Sequence, residues 1–253
     1  MLETVNLCAG YGKKQILHGV NIAFEYGKIT AVTGPNASGK STLLKAIMRL
    51  ADIQSGSVIL DGKNADAFST SEFARRVSYL PQSRNVPDIT VSHMALHGRF
   101  PYLRYPRRYT EKDYEAVDAV LEKMGISDVA HQSLCNLSGG TLQKVYIATA
   151  LVQDTQTVIM DEPVASLDVS HTLQLMKLAG ELAESGKAVV IVLHDLPLAL
   201  KYAHKIAVMD KGRLAAFGTP KEIVQSGCIN KVFSVELKST VCDGETQYFC
   251  VEE

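Results

Sequence analysis

Ile29-Thr30-Ala31-Val32-Thr33 runs directly into Gly34-Pro35-Asn36-Ala37-Ser38-Gly39-Lys40-Ser41-Thr42, and a helical pattern follows from Leu43 to Leu50. The first stretch is short, continuous and largely apolar, as expected of a strand buried on both faces in a parallel sheet. The second matches G-x-x-x-x-G-K-[ST] in the strand-before, helix-after setting that this pattern requires. Its glycines let backbone N–H groups converge on phosphate oxygens, and the helix start adds the positive end of its dipole. Lys40 is placed to reach the terminal phosphates and the Ser41 hydroxyl to ligate Mg²⁺. The stretch predicts a site for a nucleoside triphosphate, and the flanking strand and helix weigh against a plain glycine turn.

The same strand type recurs downstream at Val158-Ile159-Met160 and Val189 to Leu193, whereas Val20, Ile22 and Phe24 alternate with Asn21 and Ala23 like a half-exposed strand. Tyr114, Val117, Leu121 and Met124 have helical spacing, and so does the face carrying Leu173, Met176, Leu178 and Leu182. Strands alternating with helices predict an α/β fold with a parallel sheet. From about Arg84 to Asp154 a Pro-, Arg- and Tyr-rich loop gives way to helices without strong strand signals. The expected organisation is one domain, with residues 1–84 and 155–253 as catalytic core and 85–154 as a helical insertion.

Asp161 and Glu162, before Pro163, end the apolar run Val158-Ile159-Met160. Sites in open parallel sheets lie beyond the carboxyl ends of the strands, so both carboxylates are expected near the phosphates. Asp161 suits Mg²⁺, and Glu162 suits orienting or deprotonating the attacking water. His194 ends a third run, Ala188 to Leu193, where an imidazole can hydrogen-bond the γ-phosphate or that water. Leu137-Ser138-Gly139-Gly140 precedes a predicted helix through Leu142, Val145, Tyr146 and Thr149, which makes a serine cap on a second glycine-rich anion site. A head-to-tail pair of chains places that second site across a nucleotide bound to the first.

Composition narrows the class. Of 253 residues 46% are hydrophobic and 21% charged, ordinary globular usage, and the formal net charge of −1 offers no broad positive field for a nucleic-acid backbone. A chain of this length buries roughly 75% of its unfolded surface. The longest apolar run, Ala188 to Leu193, is far short of a membrane span, and MLETVNL does not have the basic flank of a signal peptide. The five cysteines form no C-x-x-C pair and suit a reduced compartment, so a cytoplasmic location is expected. His93 and His97, one helical turn apart, have Met94 where H-E-x-x-H needs glutamate, and are taken as an exposed or packed pair.

Together these motifs resemble the ABC-type ATPases along the whole chain: Walker A at 34–42, Gln82 in Tyr79-Leu80-Pro81-Gln82 like the Q-loop, the signature at 137–140, Walker B at 158–162, Ser166-Leu167-Asp168 like the D-loop, and His194 like the switch histidine. The resemblance implies a P-loop NTPase (RecA-like) core with an N-terminal antiparallel β subdomain and an α-helical insertion. It implies ATP and Mg²⁺, with the metal near Ser41, Gln82 and Asp161. Lys40, Glu162 and His194 are implied as catalytic, and Tyr11 as the aromatic that stacks on adenine. The remaining nucleotide contacts are Gly34, Pro35, Asn36, Ala37, Ser38, Gly39, Ser41 and Thr42, with Ser138, Gly139, Gly140 and Asp168 contributed across a homodimer. Thr141 departs from the family, which has Gln or Glu there to complete a capping box with Ser138.

Gly98-Arg99-Phe100-Pro101-Tyr102 and the following Tyr-Pro-Arg-Arg resemble ATPases of importers for ferric siderophores, haem and cobalamin. The implied function is to power such an importer from the inner face of the cell membrane, with polytopic permease subunits as partners and an extracytoplasmic binding protein that selects the cargo. The interleaved arginines and aromatics at 99–109 are taken as a partner-facing or solvated loop rather than a nucleic-acid surface. A long inserted coiled coil, as in repair ATPases, is ruled out by the short span from Lys40 to Ser138, and a single motif set differs from two-cassette translation factors. An iron–sulfur assembly ATPase and the ATPase of an exporter stay open from sequence.

Overall fold

A computed structural model describes residues 1–82, 85–165 and 167–251; Ser166 of the predicted D-loop lies outside them. Contacts divide the chain into two compact units, Met1–Ala67 with Leu178–Glu253, and Phe68–Lys177.

In the first unit, β1 (Leu2–Tyr11) and β2 (Lys14–Phe24) form an antiparallel hairpin closed by Tyr11 opposite Lys14. The predicted alternation holds: Val20, Ile22 and Phe24 are buried and Asn21 is exposed. All five residues of β3 (Ile29–Thr33) are buried, as a continuous apolar run requires. The glycine-rich loop then enters α1 (Lys40–Ile47). This helix stops short of the predicted Leu50, which is 61% exposed. Arg49 takes a left-handed φ of 59°, its N–H bonds to Ala46 O and that of Leu50 to Lys45 O, a Schellman closure that satisfies the last carbonyls. Next, β4 (Asp52–Leu60) and β5 (Lys63–Asn64) complete an antiparallel sheet ordered β2-β1-β4-β5.

The second unit starts with α2 (Thr70–Ala74) and β6 (Val77–Leu80). Its core lies among α3 (Val91–Leu96), α4 (Glu111–Lys123) and α5 (Gly139–Val152), where Val91, Ala95, Leu96, Val117, Leu121, Val145 and Val152 pack together. Val117 and Leu121 are buried as predicted, but Tyr114 is half-exposed. β7 (Thr157–Met160) pairs in parallel with β6, and α6 (Val169–Glu184) carries the chain back into the first unit. On α6, Met176, Leu178 and Leu182 are buried, whereas Leu173 is 47% exposed and lies off the apolar face.

Back in the first unit come β8 (Ala188–Val192), α7 (Leu196–Tyr202), β9 (Lys205–Asp210) and β10 (Arg213–Gly218). β3 lies between β8 and β9, parallel to both, and β10 runs antiparallel on the outside of β9. Then follow α8 (Pro220–Gln225), α9 (Cys228–Phe233) and a terminal hairpin of β11 (Glu236–Cys242) and β12 (Glu245–Val251). The layout is the expected α/β alternation with an antiparallel sheet at the N-terminus.

Candidate functional site

In the first unit the loop after β3 is held from several sides. Gly34 has φ 152°, and a Cβ there would sit 2.2 Å from Met209 O and 2.6 Å from Ser38 Oγ, so no side chain fits. The Ser38 carbonyl accepts from Gly212 N–H at 2.9 Å, and the Gly212 carbonyl accepts from His18 N–H at 2.8 Å, tying the loop to the β9–β10 turn and to β2. Lys40, 5% exposed, donates through Nζ to Gly34 O at 2.8 Å and Pro35 O at 3.0 Å, which curls the loop around its ammonium. Asn36 and Ala37 are exposed, Ala37 with φ 61°, and Ser41 and Thr42 are half-buried. Gly39 caps α1 in a left-handed conformation. Ser38 Oγ is buried without a hydrogen-bond partner among the described residues. A buried hydroxyl with nothing to bond is costly, and in a loop built of amides it marks a place for an anion's oxygen.

His194 leaves the same edge. Val32 and Val192 are register partners in parallel β3 and β8, and Leu193 N–H bonds to Val32 O at 3.1 Å, so Gly34 and His194 both step off the carboxyl ends of adjacent strands. His194 is exposed. Tyr11, the last residue of β1, is 45% exposed.

The second unit repeats this logic. Leu80 opposite Met160 is the last pair of parallel β6 and β7, so Gln82 and Glu162 stand two residues beyond it on neighbouring strands. They meet: Gln82 Nε2 donates to Glu162 Oε2 at 2.6 Å. Asp161 is 1% exposed, its N–H bonded to Leu80 O at 2.9 Å and its Oδ2 accepting from the Tyr79 hydroxyl at 3.4 Å. Glu162 adopts φ 50°, a conformation that costs a non-glycine residue about 1 kcal/mol or more and that the packing around it must hold. Gln143 helps to hold it, for its buried Nε2 donates to Pro163 O at 2.5 Å. Sequence reasoning missed Gln143; its signal was a glutamine interrupting the apolar stripe of Ile147 and Ala150 on α5.

Ser138 caps α5, its Oγ accepting from Thr141 N–H at 3.2 Å and lying 3.0 Å from Thr141 Oγ1. Ser138 and Gly139 are exposed, and a Cβ built at Gly139 or Gly140 would meet nothing within 4 Å among the described residues. Asp168 stands at the start of α6, where Oδ1 accepts from His171 N–H at 2.8 Å and Oδ2 lies 3.0 Å from His171 Nδ1. These bonds hold the Asp168 carboxyl below its usual range. His93 Nδ1 lies 3.2 Å from Thr90 Oγ1 beside the start of α3. No helix among the described residues is long and apolar enough to cross a membrane.

Comparison with known proteins agrees with this geometry. The family model described as ABC transporter matches residues 17–165. A probable siderophore transport system ATP-binding protein of Bacillus subtilis (strain 168) is 35% identical over 94% of this chain and 88% of its own length. The ferric enterobactin transport ATP-binding protein of Escherichia coli (strain K12) is 38% identical over 92% and 87%. A hemin import ATP-binding protein of Nocardia farcinica (strain IFM 10152) is 37% identical over 87% and 76%. Among solved structures, a nucleotide-free ATP-binding cassette from an ABC transporter superposes with TM-score 0.79 at 26% identity, covering 92% of this chain and 95% of that one. Another cassette, in its ADP conformation, gives 0.81 at 26% identity over 92% and 97%. With its loop, strand-end carboxylates and capped glycine-rich helix in P-loop NTPase order, the chain belongs to the ABC transporter family as an ATP-binding subunit that hydrolyses ATP.

Proposed function

We propose that this subunit closes as a homodimer around two ATP molecules and powers import of an iron chelate, such as a ferric siderophore or haem, through membrane permease subunits that an extracytoplasmic binding protein loads. The observation that carries the closure is the pair Gly139 and Gly140. Neither has a left-handed φ, and among the described residues neither has a neighbour that a methyl would strike, so nothing described there requires glycine. The open space over both glycines is what a phosphate arriving from a second copy would need. The cargo class is supported by relatives named for siderophore, enterobactin and hemin transport over most of the chain.

In this reading residues 34–42 hold the phosphates, with the Ser38 hydroxyl and the Lys40 ammonium already turned into the loop, and Tyr11 stacks on the base. Ser41, Gln82 and Asp161 are oxygen donors of the kind that Mg²⁺ prefers, and they would hold the ion that neutralises phosphate charge. Glu162 orients and deprotonates the attacking water, while His194 hydrogen-bonds the water or the γ-phosphate. Asp168 and Ser138 to Gly140 complete the partner's site. The 253 residues act as one ATPase domain, with 85–154 as the signature-bearing insertion, on the cytoplasmic face of the membrane.

Coupling passes through Gln82. A cavity of about 310 Å³ in the second unit, lined by Tyr79, Pro81, Met94, His97 and Tyr146, lies next to it in sequence and is the seat we assign to a cytoplasmic segment of the permease. A segment entering there would lie against Pro81, the neighbour in sequence of Gln82, whose side chain bonds Glu162.

The test is affinity capture of tagged Glu162→Gln from a detergent extract with ATP and Mg²⁺. Loss of the carboxylate base should slow phosphate release by about 10²–10⁴-fold and leave the ATP-bound dimer standing with a polytopic membrane protein attached. A soluble scaffold or nucleic acid in its place would overturn the importer reading, and a monomer by light scattering would overturn the closure.

A further inference from the structure

Position 141 holds a threonine whose hydroxyl lies within hydrogen-bond reach of the Ser138 hydroxyl. Ser138 Oγ already accepts the Thr141 backbone N–H at 3.2 Å, and Thr141 Oγ1 lies 3.0 Å away. A serine oxygen has two lone pairs and one proton to give. The backbone N–H fills one lone pair. When an acceptor-only phosphate oxygen approaches, the lowest-energy arrangement has Thr141 O–H filling the second, so that the Ser138 proton points outward. Thr141 O–H to Ser138 O–H to phosphate is then a chain of donors, each polarising the next, with a charged acceptor at its end. A glutamine or glutamate at 141 would instead reach back to the Ser138 backbone N–H, as Glu72 does for Ser69 and Glu222 for Thr219 in this chain, steadying the cap from the backbone side.

We infer that Thr141 is a positioning residue of the composite ATP site: it orients the Ser138 hydroxyl toward the γ-phosphate bound on the partner copy and so sets the ATP concentration at which two copies close. This rests on the closure proposed above. Ser138 is exposed and Thr141 half-buried, so the pair is accessible to a ligand, and Gly139 and Gly140 leave the approach open.

The experiment follows dimer formation against ATP concentration by light scattering in the Glu162→Gln parent, and in the same parent carrying Thr141→Val or Thr141→Ser. Valine keeps the shape and removes the hydroxyl; serine keeps the hydroxyl. We expect valine to raise the ATP midpoint by about three- to tenfold, the span of one modest hydrogen bond, and serine to restore it. Binding of a fluorescent ATP analogue to the monomer should be unchanged in all three, because the loop at 34–42 is untouched. That control separates a positioning role from a folding defect, which would weaken both. An unshifted midpoint in Thr141→Val, or no restoration by serine, overturns the role of Thr141 while the closure stands. A parent that stays monomeric in saturating ATP and Mg²⁺ overturns the closure itself, and this inference with it.

Discussion

Single side chains in this subunit are placed by the atoms they must satisfy, and His204 shows how that makes stability depend on pH. Its Nδ1 accepts the N–H of Ile29, the first residue of β3, at 3.0 Å. Protonation would turn that acceptor into a donor facing a donor. Desolvation, followed by the charge of Lys28, accordingly holds His204 below the ordinary histidine value. The sign follows from linkage: with the folded pKa depressed, the unfolded chain binds the proton first as pH falls below about 6.5, and stability drops across the window between the unfolded and folded values. Thermal unfolding should therefore show a lower Tm at pH 5.5 than at pH 7.5, and part of that fall should vanish in His204→Asn, which keeps an acceptor near the same place without titrating. An identical fall in the variant would remove His204 from the account.

Between elements, the helical unit depends on a close approach that sequence could not price. A Cβ on Gly98 would lie 2.3 Å from Thr149 O and 3.1 Å from Gln153 N, because the 3₁₀ turn His97–Tyr102 rests directly on α5. The neighbouring residues clamp it there. Arg99 Nε bonds Asp113 Oδ1 at 2.9 Å, its guanidinium covers Tyr102 at 4.1 Å, and the Tyr102 hydroxyl donates to Gln153 O at 2.8 Å. Burial pushes the Asp113 carboxyl up, but bonds from Thr110 and Arg99 outweigh it and hold it down, so the pair stays ionised at neutral pH. Gly98→Ala should destabilise by about 1–3 kcal/mol, the usual cost of forcing a methyl into a packed contact, as read by urea unfolding. A change within about 0.5 kcal/mol, typical of open surface, would show that the contact relaxes freely. The Gly-Arg-Phe-Pro-Tyr stretch that resembles importer ATPases is thus also a packing device, and its arginine is engaged within the unit.

At the scale of the whole molecule the proposed composite site would draw on different stretches of chain, Lys40 in the first unit and Ser138 in the second. In a two-fold homodimer each site would take its loop from one copy and its signature from the other. Lys40→Ala and Ser138→Ala should each abolish ATPase activity alone. Mixed in equal amounts, half of the dimers pair one of each and contain one intact site, so the mixture should recover roughly a quarter of the wild-type rate if the sites act independently. No recovery on mixing, with both variants folded and able to exchange partners, would mean that each chain completes its own site.

The candidate residues for phosphate chemistry were legible as candidates because phosphate binding is a local demand: glycines, a lysine and a helix start must follow one another within a few residues, and each strand-end carboxylate follows its own apolar run. The α/β alternation was legible for the same reason, since burial on two faces leaves continuous apolar strands. Sequence overestimated α1 because Leu50 keeps the helical spacing after the backbone has turned left-handed at Arg49. Only the tertiary structure decided that Gln82 and Glu162, 80 residues apart, share a hydrogen bond, because that depends on the parallel register of β6 and β7. It alone showed Gln143 bracing Pro163 and the Ser38 hydroxyl buried without a partner among the described residues. Local spacing specifies which groups can meet a phosphate, but register and packing, which no local pattern encodes, determine which of them meet each other.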